Sequence, residues 1–206
     1  MIESNRQPTI FVVDDDEAMR DSIHWLLESV NLGTRMFACA NDFVASCEPS
    51  EEGCLLLDIR MPGMSGMELL EVLKYSGISL PVIIITGHGD VPMAVRALKH
   101  GAFDFIQKPF NAQELLDRVN AAFELDRKNR QRSREIERRR AYFAALTDRE
   151  TEIIDLLVTG DSSKTIAQKL NISPKTVDIH RANIMRKLNV WSVVEIAQLR
   201  LDMQDT

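Results

Sequence analysis

The run Cys54-Leu55-Leu56-Leu57 ends on an acid, Asp58, and the chain then turns out through Pro62 and Gly63. A short apolar run bounded by turn residues predicts a buried parallel strand. Asp58 then sits at its carboxyl end, where open α/β sheets hold their ligands. A carboxylate beside so much hydrocarbon is costly unless something compensates for it. Upstream, Phe11-Val12-Val13 predicts a second buried strand that runs into Asp14-Asp15-Asp16. If the two strands are neighbours, their tips gather three or four carboxylates. Close like charges require a cation, and an all-oxygen set favours magnesium.

Two more strand ends complete the set. Residues 81–85 lead into Thr86-Gly87, and residues 103–106 lead into Gln107-Lys108-Pro109. Acids, a metal position, a hydroxyl and an ammonium are the equipment for attack by a carboxylate on a phosphoryl group. Asp58 is the nucleophile in this reading, and magnesium and Lys108 neutralise the phosphoryl oxygens. Taken singly, each residue has a plainer use: an Asp caps helices, a Lys before Pro sits in loops. Their order and spacing make the functional reading. Asp16 is assigned to the start of the following helix, where an acid is favoured.

Along the chain, Ala18 to Val30 carries Met19, Ile23, Leu26, Leu27 and Val30 at helical spacing, with Leu32-Gly33 as its end. Thr34 to Phe37 is a strand, and Asn41 is placed to cap a short helix. Met67, Leu69, Leu70 and Leu73 mark the next helix. Met93, Ala94, Ala97 and Leu98 mark another, closed by Gly101. Gly87 and Gly89 flank His88 in a loop that can bring backbone N–H groups to a phosphate. Strand alternating with helix five times predicts an α/β doubly wound parallel sheet.

Asp14, Asp15, Asp58, Thr86 and Lys108-Pro109, in that order on successive strands, resemble the receiver domain of two-component response regulators over residues 8–123. The resemblance implies a flavodoxin-like strand order 2-1-3-4-5 and a cis Lys108-Pro109 bond. It implies phosphate transfer to Asp58 from a sensor histidine kinase. It also implies that Asp15 binds magnesium beside Asp14, that the carbonyl of Arg60 completes the metal site, and that Thr86 and Phe105 form a switch pair. Arg60 and His88, two residues past Asp58 and Thr86, are placed to gate the water that removes the phosphate.

The composition, 45% hydrophobic and 27% charged, is that of a soluble globular protein. No apolar run suits a membrane span and no leader opens the chain, so a cytoplasmic protein is expected. Cys39, Cys47 and Cys54 form no metal or disulfide pattern and read as buried small hydrophobes in a reducing compartment. His24 and His100 read as helix-surface residues.

The net charge of −6 is unevenly spread. Residues 1–123 hold 18 acids and 9 bases, whereas residues 124–140 hold 4 acids and 8 bases. From 124 to 142 the chain predicts a charged linker helix. Asp126, Arg130 and Ser133 fill positions that a coiled-coil seam would make apolar, which disfavours pairing there. A solvated face is the plain reading, and contact of Arg138-Arg139-Arg140 with DNA phosphates or the acidic receiver is the alternative.

A second domain is predicted over 143–206. Thr147 with Glu150 three residues later is a capping box, and Ile153, Ile154, Leu156 and Leu157 make a buried face. Ser162 or Ser163 caps the next helix. Asn171-Ile172-Ser173 is a tight connection, and Ser173-Pro174 opens a third helix. Short helix, three-residue turn and second helix make a helix-turn-helix. Leu146-Thr147-x-Arg149-Glu150, Ile166-Ala167-x-x-Leu170, Ile172-Ser173-x-x-Thr176-Val177, His180 and Lys187-Leu188-x-Val190 resemble the LuxR-type DNA-binding domain, expected as an all-α four-helix unit. With the receiver, the chain resembles the NarL/FixJ class, and the FixJ branch most.

Between residues 164 and 187 six bases accompany one acid, Asp178. A basic stripe on one face suits phosphate contact. The candidate DNA residues are Lys164, Lys175, Thr176, Asp178, His180, Arg181 and Lys187. Asp178 stands where some members of the family place Lys; it repels phosphate and can accept from a cytosine amino group. The effector domain shows little apolar surface beyond its core, so its own pairing is expected to be weak.

These readings converge on a transcription regulator that a histidine kinase phosphorylates at Asp58. It is expected to form a homodimer when phosphorylated, to bind promoter DNA and to work with RNA polymerase, without a membrane. An aspartate-nucleophile phosphatase is the enzyme alternative. It typically needs a general acid two residues past the nucleophile, where this chain has Arg60, which is no proton donor. An effector domain that binds protein is the third reading, and the basic stripe argues against it.

Overall fold

The computed structural model describes residues 7–87 and 91–204. Five strands alternate with helices: β1 (Thr9–Val13), α1 (Glu17–Glu28), β2 (Gly33–Phe37), α2 (Ala40–Ser46), β3 (Gly53–Leu57), α3 (Gly66–Ser76), β4 (Val82–Thr86), α4 (Val91–Lys99), β5 (Asp104–Gln107) and α5 (Ala112–Ala144). Then come α6 (Asp148–Val158), α7 (Ser163–Leu170), α8 (Pro174–Leu188) and α9 (Val193–Gln204). The chain divides into two compact units, one ending at Arg130 and the other starting at Gln131.

The first unit is a parallel sheet in the order β2-β1-β3-β4-β5. All residues of β3 and β4 are buried, which is why both read as continuous apolar runs. Side chains alternate across the sheet. Phe11, Val13, Leu55, Leu57 and Ile84 face one layer with Phe43, Leu69 and Ala97. Ile10, Val12, Leu56, Ile83 and Ile85 face the other, with Ile23, Leu27, Leu115 and Val119. The second unit is helical, and its core joins Ile153, Ile154, Leu157, Ile166, Val177, Ile184 and Leu188.

Two glycines are fixed by space. A Cβ on Gly53, whose φ is +141°, would lie 1.8 Å from the Thr9 carbonyl oxygen. A Cβ on Gly66 would lie 2.3 Å from the carbonyl oxygen of Asp58, so α3 can start against the acid's backbone only with glycine.

Several local expectations need correction. Helix α1 ends at Glu28 rather than Val30: Ser29 is its C-cap, Asn31 turns left-handed at φ 59°, and Val30 is exposed. Gly33 opens β2 instead of closing the helix. Cys39, not Asn41, precedes α2 as its N-cap, without a side-chain hydrogen bond. Leu98 is exposed on α4. The effector unit also exposes more apolar surface than expected, with Trp191 90% and Val194 67% accessible.

The charged segment after residue 123 is not uniformly solvated either. Asp126 on α5 is 3% exposed. It accepts the Gly53 N–H at 3.0 Å and both carboxylate oxygens receive Arg130 Nε, at 3.0 and 2.8 Å. Arg130 also donates to the carbonyls of Ser50 and Glu51. This clamp ties α5 to the loop that enters β3. Asp126→Ala strands a buried N–H and a guanidinium, so urea unfolding of the intact chain should show a loss of about 3 kcal/mol in the first unit. A loss below about 0.5 kcal/mol, the level of an ordinary surface change, would contradict the clamp.

The cysteines are free, and burial pushes the Cys47 thiol up to about 11. Among the described residues no helix is long and apolar enough to cross a membrane.

Candidate functional site

The register of the sheet assembles the first site. Val13 pairs with Leu57, so Asp14 and Asp58 leave neighbouring strands side by side. The Asp58 N–H donates to the Val13 carbonyl at 2.9 Å, and the Lys108 N–H donates to the Thr86 carbonyl at 2.9 Å. The Lys108 ammonium thereby reaches Asp14 Oδ2 at 2.6 Å and Asp58 Oδ1 at 3.0 Å. Asp58 Oδ2 accepts the Arg60 N–H at 2.7 Å, and Asp14 Oδ1 accepts the Asp16 N–H at 2.9 Å. Asp14 is 3% and Asp58 7% exposed. Arg20, one turn into α1 and absent from the sequence-based set, donates to the Asp14 carbonyl at 2.7 Å.

The remaining candidates lie around this trio. Asp15 is exposed, and Asp16 caps α1 by accepting from the N–H groups of Ala18 and Met19. Thr86 is buried at the tip of β4, and Phe105 is half-buried against the core. The side chain of Arg60 is exposed. His88, the other gate residue, lies outside the described residues. The Lys108-Pro109 bond is cis.

Burial raises the pKa of Asp58. Its contacts with Lys108 and Arg60 pull the other way, and the Asp14 carboxylate adds to the rise. Burial lowers that of Lys108, but the two carboxylates outweigh it and hold the ammonium's pKa above its ordinary value. One cation therefore serves two buried acids without neutralising both. That shortfall of positive charge and the oxygen-only donors fit a hard divalent cation. Among the described residues no three His, Cys, Asp or Glu side chains converge at metal distance.

The second candidate surface is on α8. Ser173 caps it, accepting the Thr176 N–H at 3.1 Å, with Pro174 in its first turn. Lys175, Asp178, Ile179, Ala182 and Arg186 are exposed at spacings of three and four, one stripe along the helix. Thr176, His180 and Arg181 lie half-buried on its flank, and Lys164 is exposed on α7. His180 Nδ1 is buried with no hydrogen-bond partner among the described residues. Ile179 and Ala182 belong to the stripe but not to the sequence-based set, because an apolar residue gives no signal for DNA contact on its own.

Lys187 has a different setting from the other bases. Its ammonium donates to Glu150 Oε2 at 2.6 Å and to the Ala145 carbonyl at 3.0 Å. Glu150 is buried inside the capping box with Thr147. Burial raises its pKa, but the bonds from Lys187 and Thr147 prevail and hold it below the usual 4.5. Lys187→Met should lower the stability of the effector unit by about 2–3 kcal/mol. That is less than a fully buried pair, because the lysine side chain is 29% exposed. The folded pKa of Glu150 lies below its unfolded value, so this stabilisation is complete above about pH 4.5 and fades as pH falls through the depressed value. Thermal melts across pH 3 to 7 of wild type and Lys187→Met should converge at the acid end; parallel curves would contradict the pair.

Comparison with known proteins finds both domains. Residues 10–120 match the family described as Response regulator receiver domain, and residues 144–200 match Bacterial regulatory proteins, luxR family. The transcriptional regulatory protein TdiR of Thauera aromatica is 44% identical over 188 residues, covering 91% of this chain and 83% of that protein. The transcriptional regulatory protein FixJ of Azorhizobium caulinodans is 42% identical over 196 residues, covering 93% of this chain and 91% of that protein. Among solved structures, the response regulator StyR aligns with a TM-score of 0.86 at 43% identity, covering 94% of this chain and 98% of that one. The chain therefore belongs to the two-component response regulators that join a receiver domain to a LuxR-type DNA-binding domain.

Proposed function

We propose that this chain is cytoplasmic, that Asp58 accepts a phosphoryl group from a sensor histidine kinase, and that its phosphorylation promotes homodimerisation and promoter binding. The observation that carries this reading is the buried trio of Asp14, Asp58 and Lys108, joined at 2.6 and 3.0 Å. In this reading residues 8–123 form the receiver, 124–142 the linker helix and 143–206 the DNA-binding domain. RNA polymerase is the partner at the promoter.

Receivers bind magnesium at their acidic pocket. Here Asp14, Asp15, Asp58 and the carbonyl of Arg60 would hold it. When bound, magnesium draws the phosphoryl oxygens and offsets the repulsion between acids and phosphate. Asp58 attacks the phosphorus, an O–P bond forms, and the N–P bond to the kinase histidine breaks. Lys108 keeps its ammonium beside Asp58 and moves its contact to a phosphoryl oxygen. The hydroxyl of Thr86 donates to another, and Phe105 follows the movement of Thr86. Arg60 and His88 limit the line along which water can attack. On the effector unit, Lys164, Lys175, Thr176, His180 and Arg181 contact the duplex, and Asp178 faces the bases. Lys187 supports α8 through Glu150.

The test is a gel shift of labelled duplex by the intact chain treated with acetyl phosphate and magnesium. Binding that strengthens on phosphorylation and weakens steeply with salt is expected. Steady turnover of phosphate esters with no binding at any salt would favour the phosphatase instead.

A further inference from the structure

The hydroxyl of Ser163, at the start of α7, is shared by two opposite charges of α8. It donates to Asp178 Oδ1 at 2.8 Å and accepts from Arg181 NH1 at 2.8 Å. Arginine only donates and carboxylate only accepts, so a single hydroxyl can serve both at once. Asp178 and Arg181 are three residues apart on α8, and both meet on this one hydroxyl. Ser163 is therefore the link between them.

An exposed acid in the middle of a basic surface is unfavourable against phosphate. It gains where it meets a base-edge donor. Asp178 lies within the exposed stripe of α8, beside Ile179, and Arg181 lies on its flank. With Oδ1 held by Ser163, Oδ2 is the oxygen that remains to accept. Arg181 keeps most of its N–H donors. In the major groove a C·G pair presents the cytosine N4 amino donor next to the guanine O6 and N7 acceptors. A carboxylate and a guanidinium in fixed relation complement that edge.

We propose that Ser163 is a positioning residue that locks Asp178 and Arg181 into one acceptor–donor unit reading a C·G base pair, and so sets DNA sequence specificity. The inference rests on the DNA-binding reading above and adds to it which residue orients the readers and which base pair they take. Fixing the two side chains before binding removes part of the ordering cost at the moment of recognition.

The test uses the intact chain with acetyl phosphate and magnesium. Wild type first selects duplexes from a random-sequence library. The selected duplex is then bound with each C·G pair changed in turn to T·A. Wild type should lose about tenfold at one such pair, the scale of a single base contact. Ser163→Ala should lose that discrimination while its affinity for a scrambled duplex changes by less than about twofold, since phosphate contacts are kept. Ser163→Thr retains the hydroxyl and should restore it. Ser163→Ala combined with Asp178→Ala should be no worse at that pair than Asp178→Ala alone. Weakening by Ser163→Ala at every duplex alike, or full discrimination kept at every C·G pair, would overturn the inference and leave the DNA-binding reading standing. A wild type that selects no sequence would overturn both.

Discussion

Asp58→Asn is expected to reduce phosphate incorporation from a small phosphodonor to background and to remove the rise in DNA affinity that phosphorylation brings. The substitution is close to isosteric. Its amide oxygen can still accept from Lys108, which stands 3.0 Å from Asp58 Oδ1 in the wild type. What it lacks is the anionic oxygen that attacks phosphorus. Neither neighbouring acid is placed to replace it: Asp14 is buried against Lys108 and the Asp16 N–H, and the Asp15 side chain is exposed. Mass spectrometry and labelling after treatment with acetyl phosphate and magnesium check this directly. An acid-stable label that persists on serine or threonine in Asp58→Asn would show a different acceptor. An unchanged thermal melt excludes misfolding as the cause.

The sheet was legible because its strands are apolar on both faces, so β3 and β4 announce themselves as uninterrupted runs. The polar residues that stop those runs are also the site. Thr147 and Glu150 were equally readable, since a capping box is local and its partners are three residues apart. Less was legible where a partner is distant in sequence. Asp126 looked like one more linker charge because the N–H it accepts belongs to Gly53, 73 positions away. Lys187 reads as part of the basic stripe, and its bond to Glu150, 37 positions upstream, leaves no local signal. The end of α1 was misplaced for a different reason. Val30 continues the helical period by one step, but Asn31 takes a left-handed conformation and the chain has already left the helix. Ser163 was seen only as a cap candidate; Ser162 takes that role, which leaves the Ser163 hydroxyl for α8.

Phosphorylation is expected to move the intact chain from monomer to dimer. A single helix-turn-helix reads few base pairs, so useful specificity needs two copies on half-sites about one helical turn apart. The receiver can supply the contact. Thr86 is buried at the tip of β4, and Phe105 stands one strand away, with Ile84 as its register partner. Movement of Thr86 toward a phosphoryl group opens space into which the Phe105 ring can turn. On the same edge α4 exposes Val95 and Leu98, 43% and 47% accessible, an apolar surface for a second copy. Trp191 and Val194 give the effector unit apolar surface too, so pairing can extend beyond the receiver. A switch from about 1:99 to 99:1 needs roughly 5.5 kcal/mol of differential stabilisation. Charge-assisted contacts to the phosphoryl group contribute about 1.5–3 kcal/mol each, so two or three suffice. Sedimentation velocity of the intact chain, with and without acetyl phosphate and magnesium, tests this most directly when run beside DNA binding on the same samples. The account predicts a monomer that becomes a dimer on phosphorylation, in step with the gain in DNA affinity, and an Asp58→Asn variant that stays monomeric. A phosphorylated chain that remains monomeric while its DNA affinity rises would contradict it.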